Sequence, residues 1–186
     1  MFWELPESLE VAGRTYDIDS DFRTALRVLA AYGNPDLSAS EKALVCLANI
    51  YIDAASIPDA HLQEAYDAAV RFIDNGQEQE PEQSGRRSMD WEQDSALIFP
   101  AVNNVAGFEV RSTDYLHWYT FLGYFMEIKD SVFSTVMRLR QKKHKQQKLD
   151  KAESEFWRNN RKICELKVKL SAAEQAAYDR FDKLFS

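Results

Sequence analysis

From Asp114 to Ile128 nearly every side of a helix would carry an apolar or aromatic side chain, with Tyr115, Leu116, Trp118, Tyr119, Phe121, Leu122, Tyr124 and Phe125 among them. A helix of this kind is stable only when other elements enclose it. The run is interrupted by His117 and Glu127 and falls well short of the roughly 20 residues that a membrane span needs. It therefore predicts the centre of a helical bundle, and a chain of 186 residues is long enough to build one core around it.

The flanking sequence supplies the enclosing elements. Leu9-Glu10-Val11 and Thr15-Tyr16-Asp17-Ile18 alternate around Ala12-Gly13-Arg14, the signal of a short hairpin. Ser20 is a plausible N-cap for a helix carrying Phe22, Leu26 and Leu29, which Gly33-Asn34-Pro35 stops. Ser38 to Glu41 is a capping box ahead of Leu44, Leu47, Ala48 and Tyr51. Ser56-Ile57-Pro58 opens a third helix whose buried face is predicted to be Leu62, Ala65, Tyr66, Ala69 and Ile73. Trp91, Ile98, Val102 and Val105 outline a fourth, ending at Gly107, with Pro100 expected to bend or break it. Asp130 is a candidate cap for a helix with Val132, Phe133, Val136, Met137 and Leu139 on its apolar side. The reading is mainly α: a multi-helix bundle with a short N-terminal β-hairpin and a basic C-terminal helical extension. Phe22, Trp91, Leu116, His117, Trp118, Phe121 and Phe125 are its expected structural core.

The fifteen residues from Asp74 to Ser88 have no apolar side chain to bury and read as a mobile loop. They divide the chain into a hairpin-plus-three-helix part (1–73), the loop (74–88), the aromatic core helices (89–141) and the C-terminal helices (142–186), together one domain with an extension. The net charge of −7 divides unevenly, at +7 over residues 131–186 and −14 before them. Leu149, Ala152, Phe156, Asn159, Ile163, Leu166 and Leu170 recur at gaps of three and four, a heptad-like stripe with one polar interruption. The stripe serves equally well for client or self-association and for docking on the chain's own body. A last helix opens at the capping box Ser171 to Glu174 and presents Ala177, Tyr178, Phe181 and Leu184.

No phosphate loop, nucleophile elbow, HExxH or CxxC pair occurs, so the sequence predicts neither an enzyme nor a cofactor or metal site. Asp90 and Asp94 share a helical face, where acids are favoured by the helix dipole without any metal or acid–base role. His117 has no second His or Cys within reach and reads as a hydrogen-bonded core residue. The aromatic run packs a core better than it lines a cofactor pocket. Cys46 and Cys164 sit in apolar patterns and are expected to be reduced and buried. The N-terminal segment lacks the basic and apolar regions of a secretory signal. The basic run Arg138, Arg140, Lys142, Lys143, Lys145, Lys148 and Lys151 reads first as a solvated face, then as a surface for an acidic protein partner, and last as a nucleic-acid contact.

Three segments carry a family likeness: LPESLEVAGRTYDIDSDFR with Asp21-Phe22-Arg23, MDWEQDSALIF followed by DYLHWYTFLGYFMEI, and STVMRLRQKKHK. The second holds Asp90-Trp91-Glu92-Gln93-Asp94, shifted by one acid from the family's Asp-aromatic-x-x-Asp, and Leu116-His117-Trp118-Tyr119-Thr120-Phe121. The third holds Leu139 and Arg140 before a Lys-rich helix. Together they resemble the gene-product-fifteen family of tailed-bacteriophage tail-module proteins, and Pro100 departs from the helix former expected at its position. The resemblance implies a non-enzymatic tail assembly chaperone that coats the tape measure protein until tail tube subunits displace it. It implies action in the host bacterial cytoplasm and absence from the mature virion. A second copy of the chain or a second tail chaperone are further expected partners, whereas membrane and nucleic acid are not. The expected contact residues are Leu149, Phe156, Asn159, Ile163, Leu166 and Leu170 on the stripe and Arg138, Arg140, Lys142 and Lys143 beside it. A nucleic-acid-associated protein acting through 138–151 and a structural tail component are the alternatives.

Overall fold

The structure, a computed structural model, describes residues 4–75, 88–176 and 180. It is mainly helical with a short N-terminal antiparallel hairpin, as the sequence predicts. In the hairpin, β1 (Ser8–Val11) pairs with β2 (Arg14–Asp17), with Val11 opposite Arg14. Ala12 and Gly13 both take positive φ (49° and 74°), the two-residue turn whose twist matches the strands. A two-stranded ribbon needs support. It rests on α3 (Leu62–Ile73), whose Glu64 Oε1 accepts a hydrogen bond from the Ala12 N–H at 2.7 Å.

α1 (Phe22–Tyr32) is capped by Asp21 and not by Ser20, because the Asp21 carboxylate accepts from the Arg23 N–H at 2.9 Å. Ser20 is used elsewhere: its hydroxyl bonds to that of Tyr115 and its carbonyl accepts from the Trp118 N–H at 2.8 Å. α2 (Ala39–Ile50) begins at the expected Ser38/Glu41 capping box. Its buried side is Cys46, Leu47 and Ile50, whereas Leu44 and Ala48 face solvent. The face is rotated from the predicted one because α2 packs between α1 and α3 with its remaining side uncovered. Two 3-10 turns, Ala54–Ser56 and Asp59–His61, delay the third helix to Leu62. Ala65, Ala69 and Ile73 are buried as expected, joined by Ala68 and Phe72, while Leu62 and Tyr66 are half-buried.

Most of the polar segment predicted at 74–88 lies outside the described residues. Trp91 sits in a turn, and α4 (Ser95–Ala106) starts only after Asp94. Pro100 does not break α4. Proline removes the hydrogen bond to the carbonyl four residues back; here that residue, Ala96, is exposed and water can take the missing donor's place. Gly107, at φ 81°, ends the helix in the left-handed conformation that suits glycine.

α5 (Trp118–Met126) is shorter than the predicted 114–128. Its N-terminal approach instead forms a bridge to the start of α1: Phe22 N–H donates to Leu116 O at 2.9 Å and Leu116 N–H to Asp21 Oδ2 at 3.0 Å. Nor is α5 enclosed all round. Trp118 and Phe121 are buried, but Leu122, Tyr124 and Phe125 are only partly so and Met126 is 65% exposed. Leu116 and Trp91, also expected in the core, are half-buried. The ring of Phe121 stacks on Phe22 at 4.7 Å and on Trp118 at 5.7 Å, and Trp91 meets Phe125 at 4.9 Å. Trp118 Nε1–H donates to Ile73 O at 2.8 Å, joining the two halves of the chain through the core. His117 is buried with both ring nitrogens used: Nδ1 accepts from the Tyr119 N–H and Nε2 bonds to Pro6 O, each at 3.0 Å. It is a core and capping residue.

α6 (Val132–His144) is capped by Ser131 with Ser134 and not by Asp130. α7 (Lys151–Asn159) and α8 (Arg161–Cys164) follow. The final capping box forms, with Ser171 and Glu174 hydrogen-bonded to each other and residues 172–176 helical; Ala177, Tyr178, Phe181 and Leu184 lie outside the described residues.

Trp118→Ala should lower stability by about 3 to 5 kcal/mol in chemical denaturation. Met126→Gln, on the uncovered side of the same helix, should stay within about 0.5 kcal/mol of the parent. Equal losses at the two positions would contradict this placement of α5.

Candidate partner-binding surface

The residues expected to bind a partner belong to α6, α7, α8 and the segment after them. The continuous heptad stripe is not formed. The helix ends at Asn159, Asn160 departs from helical geometry (φ −117°, ψ 29°), and Glu165 is extended (φ −93°, ψ 122°). The stripe is thereby divided among different environments. Leu149 and Phe156 are half-buried on the α7 side, Ala152 and Asn159 are exposed, and Ile163 and Leu166 are half-buried around α8 and its exit. Leu170 lines a separate shallow groove with residues of the turn between α1 and α2.

Arg140 requires the largest correction. Placed by its sequence on an exposed basic run, it is 3% exposed. Its guanidinium meets both oxygens of Asp94 at 2.8 Å, and Asp94 is itself buried. The remaining N–H groups go to Ser88 O at 2.9 Å, Cys164 O at 2.8 Å and Ile163 O at 2.7 Å. All five donors of the guanidinium are satisfied, the condition under which an arginine can be buried. Asp94 is correspondingly not part of a solvated acidic face. Its Oδ2 also accepts from the Asp90 N–H at 2.9 Å, so one ion pair fixes the approach to α4, the last turns of α6 and the carbonyl end of α8.

The neighbouring basic residues are also engaged. Glu153 accepts from Lys142 Nζ at 2.6 Å, from Arg138 and from the Asp150 N–H at 3.0 Å. The lysine hydrogen bond first, then the backbone N–H and the arginine, hold its carboxyl down to about 2. Lys143 Nζ lies 4.0 Å over the Trp157 ring, a cation–π contact. Glu153 was detectable beforehand as the last residue of an Asp-x-x-Glu capping box. The Arg140–Asp94 pairing had no local signal, since its partners are 46 positions apart.

After Glu165 the chain crosses the start of α4. Lys169 Nζ pairs with Asp90 at 3.0 Å and Glu92 at 2.7 Å, and the Ala172 N–H donates to Asp36 Oδ1 at 2.7 Å. Asp90 is pushed up by burial, yet the Gln93 and Glu92 N–H groups and Lys169 outweigh that and hold it below its ordinary value. Burial pushes the thiols of Cys46 and Cys164 up, which makes both poor nucleophiles. Among the described residues no group of three or more His, Cys, Asp and Glu is placed to hold a metal, and no helix is long and apolar enough to cross a membrane.

Among the accessible hollows are a cleft of about 640 Å³ whose lining includes Arg140, Lys143 and Leu166, and a groove of the same volume where the start of α6 meets α7. Val132, 51% exposed, and Phe156 are the apolar members of the groove's lining, set among Lys129, Asp130, Ser131, Ser134, Thr135 and Arg138. It brings together two of the expected contact residues, Phe156 and Arg138.

The family model described as Bacteriophage Gp15 protein matches residues 2–166. No curated protein and no solved structure matches the chain.

Two measurements check this site. Arg140→Met leaves Asp94 buried without its partner and should cost about 3 to 5 kcal/mol. For Glu153, the folded pKa lies below the unfolded one, so its contribution is complete above about 4.5 and is lost as pH falls toward about 2. The stability difference between the parent and Glu153→Gln should therefore shrink over that window, measured by urea denaturation across a pH series. A difference that stays constant from pH 6 to pH 2 would refute the pairing.

Proposed function

The chain belongs to the Bacteriophage Gp15 family, and on that premise we propose that it is a tail assembly chaperone that binds the tape measure protein and tail tube subunits during phage tail morphogenesis. It works in the host cytoplasm, keeps the long helical client in solution, and leaves as tube subunits polymerise around it. The observation that carries this reading is the Val132/Phe156 groove. An open groove in which two apolar side chains stand among polar ones takes the apolar anchors of an amphipathic helix, spaced by three or four residues, with the helix's polar flanks against the polar lining. Such a contact is reversible because it fills no deep pocket.

The basic run favours protein over nucleic acid as the partner. Arg140 is buried, Arg138 and Lys142 are paired with Glu153, and Lys143 lies on Trp157. Lys145, Lys148 and Lys151 are the exposed remainder. Phosphate binding draws its strength from the number of charges neutralised, and three is a weak set.

Co-expression with a tape measure fragment provides the test. The client should co-purify with the parent protein, and Val132→Asp combined with Phe156→Asp should lower its recovery at least about tenfold while the circular dichroism spectrum is unchanged. Unchanged recovery would remove the groove from the mechanism. Failure of the parent to retain the client, together with duplex DNA binding that weakens steeply with salt, would favour the nucleic-acid reading. Presence of the protein in finished particles would make it a structural tail component.

A further inference from the structure

Beyond Glu165 the chain presents a strand edge that no described residue uses. The Gln93 carboxamide donates to Lys167 O at 3.0 Å and accepts from Lys167 N–H at 2.9 Å. One amide reaches both groups only when the N–H and C=O of a residue point the same way, which is β-strand geometry. The N–H and C=O of Leu166 and Val168 then point to the opposite edge, where they hydrogen-bond to nothing among the described residues. Val168 is 81% exposed, and Leu166 and Val168 border an open cleft of about 640 Å³. An open edge of this kind is a template for a further strand.

The order of residues on the edge specifies which strand. Run antiparallel to itself about Lys167, the segment Glu165-Leu166-Lys167-Val168-Lys169 places Leu166 opposite Val168 and Glu165 opposite Lys169, each twice. Leu166 and Val168 fall at the hydrogen-bonded positions, as the direction of their backbone groups requires, while Glu165, Lys167 and Lys169 fall at the others. Centring on Val168 instead would set Lys167 against Lys169 twice. Centring on Leu166 would recruit Cys164, which is buried in α8 with its carbonyl held by Arg140.

We propose that residues 165–169 pair with the same residues of a second copy of the chain, as a two-stranded antiparallel ribbon on a two-fold axis. Glu165 and Lys169 keep their internal partners, Arg161 for the one and Asp90 and Glu92 for the other, so the register rests on the backbone groups and on the apolar pair, with Val168 covered by Leu166 of the other copy and one like pair, Lys167 with Lys167, on the axis. Five residues a side make a small contact, and the like pair on the axis weakens it further. The association is therefore concentration-dependent and reversible.

Sedimentation across a concentration series up to about 1 mM should move the parent from monomer toward dimer. Val168→Pro, which removes an edge N–H at an exposed position, should remain monomeric throughout with an unchanged melting curve. Lys167→Cys should form a disulfide-linked dimer under mild oxidation, because Cα atoms facing each other at a non-hydrogen-bonded pair are about 4.5 Å apart. Val168→Cys, which faces Leu166, should cross-link far more slowly, and the parent, with both native cysteines buried, should not cross-link. A parent that is monomeric at every concentration, a dimer that survives Val168→Pro, or equal cross-linking at positions 167 and 168 would overturn the proposal.

Discussion

Burying a guanidinium is tolerable only when each of its five N–H groups has an acceptor, and the C-terminal third of this protein is arranged around meeting that condition at Arg140. Asp94 supplies two acceptors and the charge, Ser88 a third, and the carbonyls of Ile163 and Cys164 the last two. Those acceptors come from the approach to α4 and from α8, so the side chain cannot be satisfied until both have docked on α6. The same demand explains why α8 is short. Its final carbonyls, which a longer helix would use internally, are given to Arg140, and the chain leaves in extended form.

The segments that carry the family resemblance meet in pairs. Asp21-Phe22-Arg23 bonds to Leu116 and Trp118 lies beside it, while Asp94 of the second segment bonds to Arg140 of the third. What these segments share is the making of long-range junctions. The accessible groove residues Val132 and Phe156, and the edge residue Val168, stand apart from those junction contacts. Val168 also lies beyond the end of the matched region.

Local signals were readable wherever a few neighbouring residues decide the outcome. The hairpin turn at Ala12-Gly13, the capping boxes at Ser38 and Ser171 and the stop at Gly107 are all of this kind. The failures occur where a distant partner decides. Ser20 could cap a helix on chemical grounds, but Tyr115 and Trp118 claim its polar groups, and Asp21 takes the role. Val132 to His144 reads as a helix whose basic end projects into water until Asp94 and Glu153 are placed beside it. The three-and-four spacing from Leu149 to Leu170 is compatible with one long helix. Asn160, and the acceptors that Arg140 needs, break it. Phe156 and Arg138, two of the residues singled out beforehand, do meet in the groove, although by way of α6 and α7 and not along a stripe.

The charge asymmetry takes on a different meaning from these contacts. An excess of +7 in the last third against −14 before it suggests two ends that attract neighbouring copies. Part of that attraction is spent within one molecule: Arg140 on Asp94, Lys169 on Asp90 and Glu92. Arg138 and Lys142 are spent within the basic third itself, on Glu153. These pairs fasten the C-terminal region to the body at Arg140 and Lys169. With Arg138, Arg140, Lys142 and Lys169 occupied, part of the selectivity toward a partner must come from features that charge leaves uncovered. Those features are apolar side chains at the edge of the core and the backbone groups of Leu166 and Val168, which pair with nothing among the described residues. Both form short-range contacts that depend on shape and register, and both persist in salt that would screen a purely electrostatic attraction.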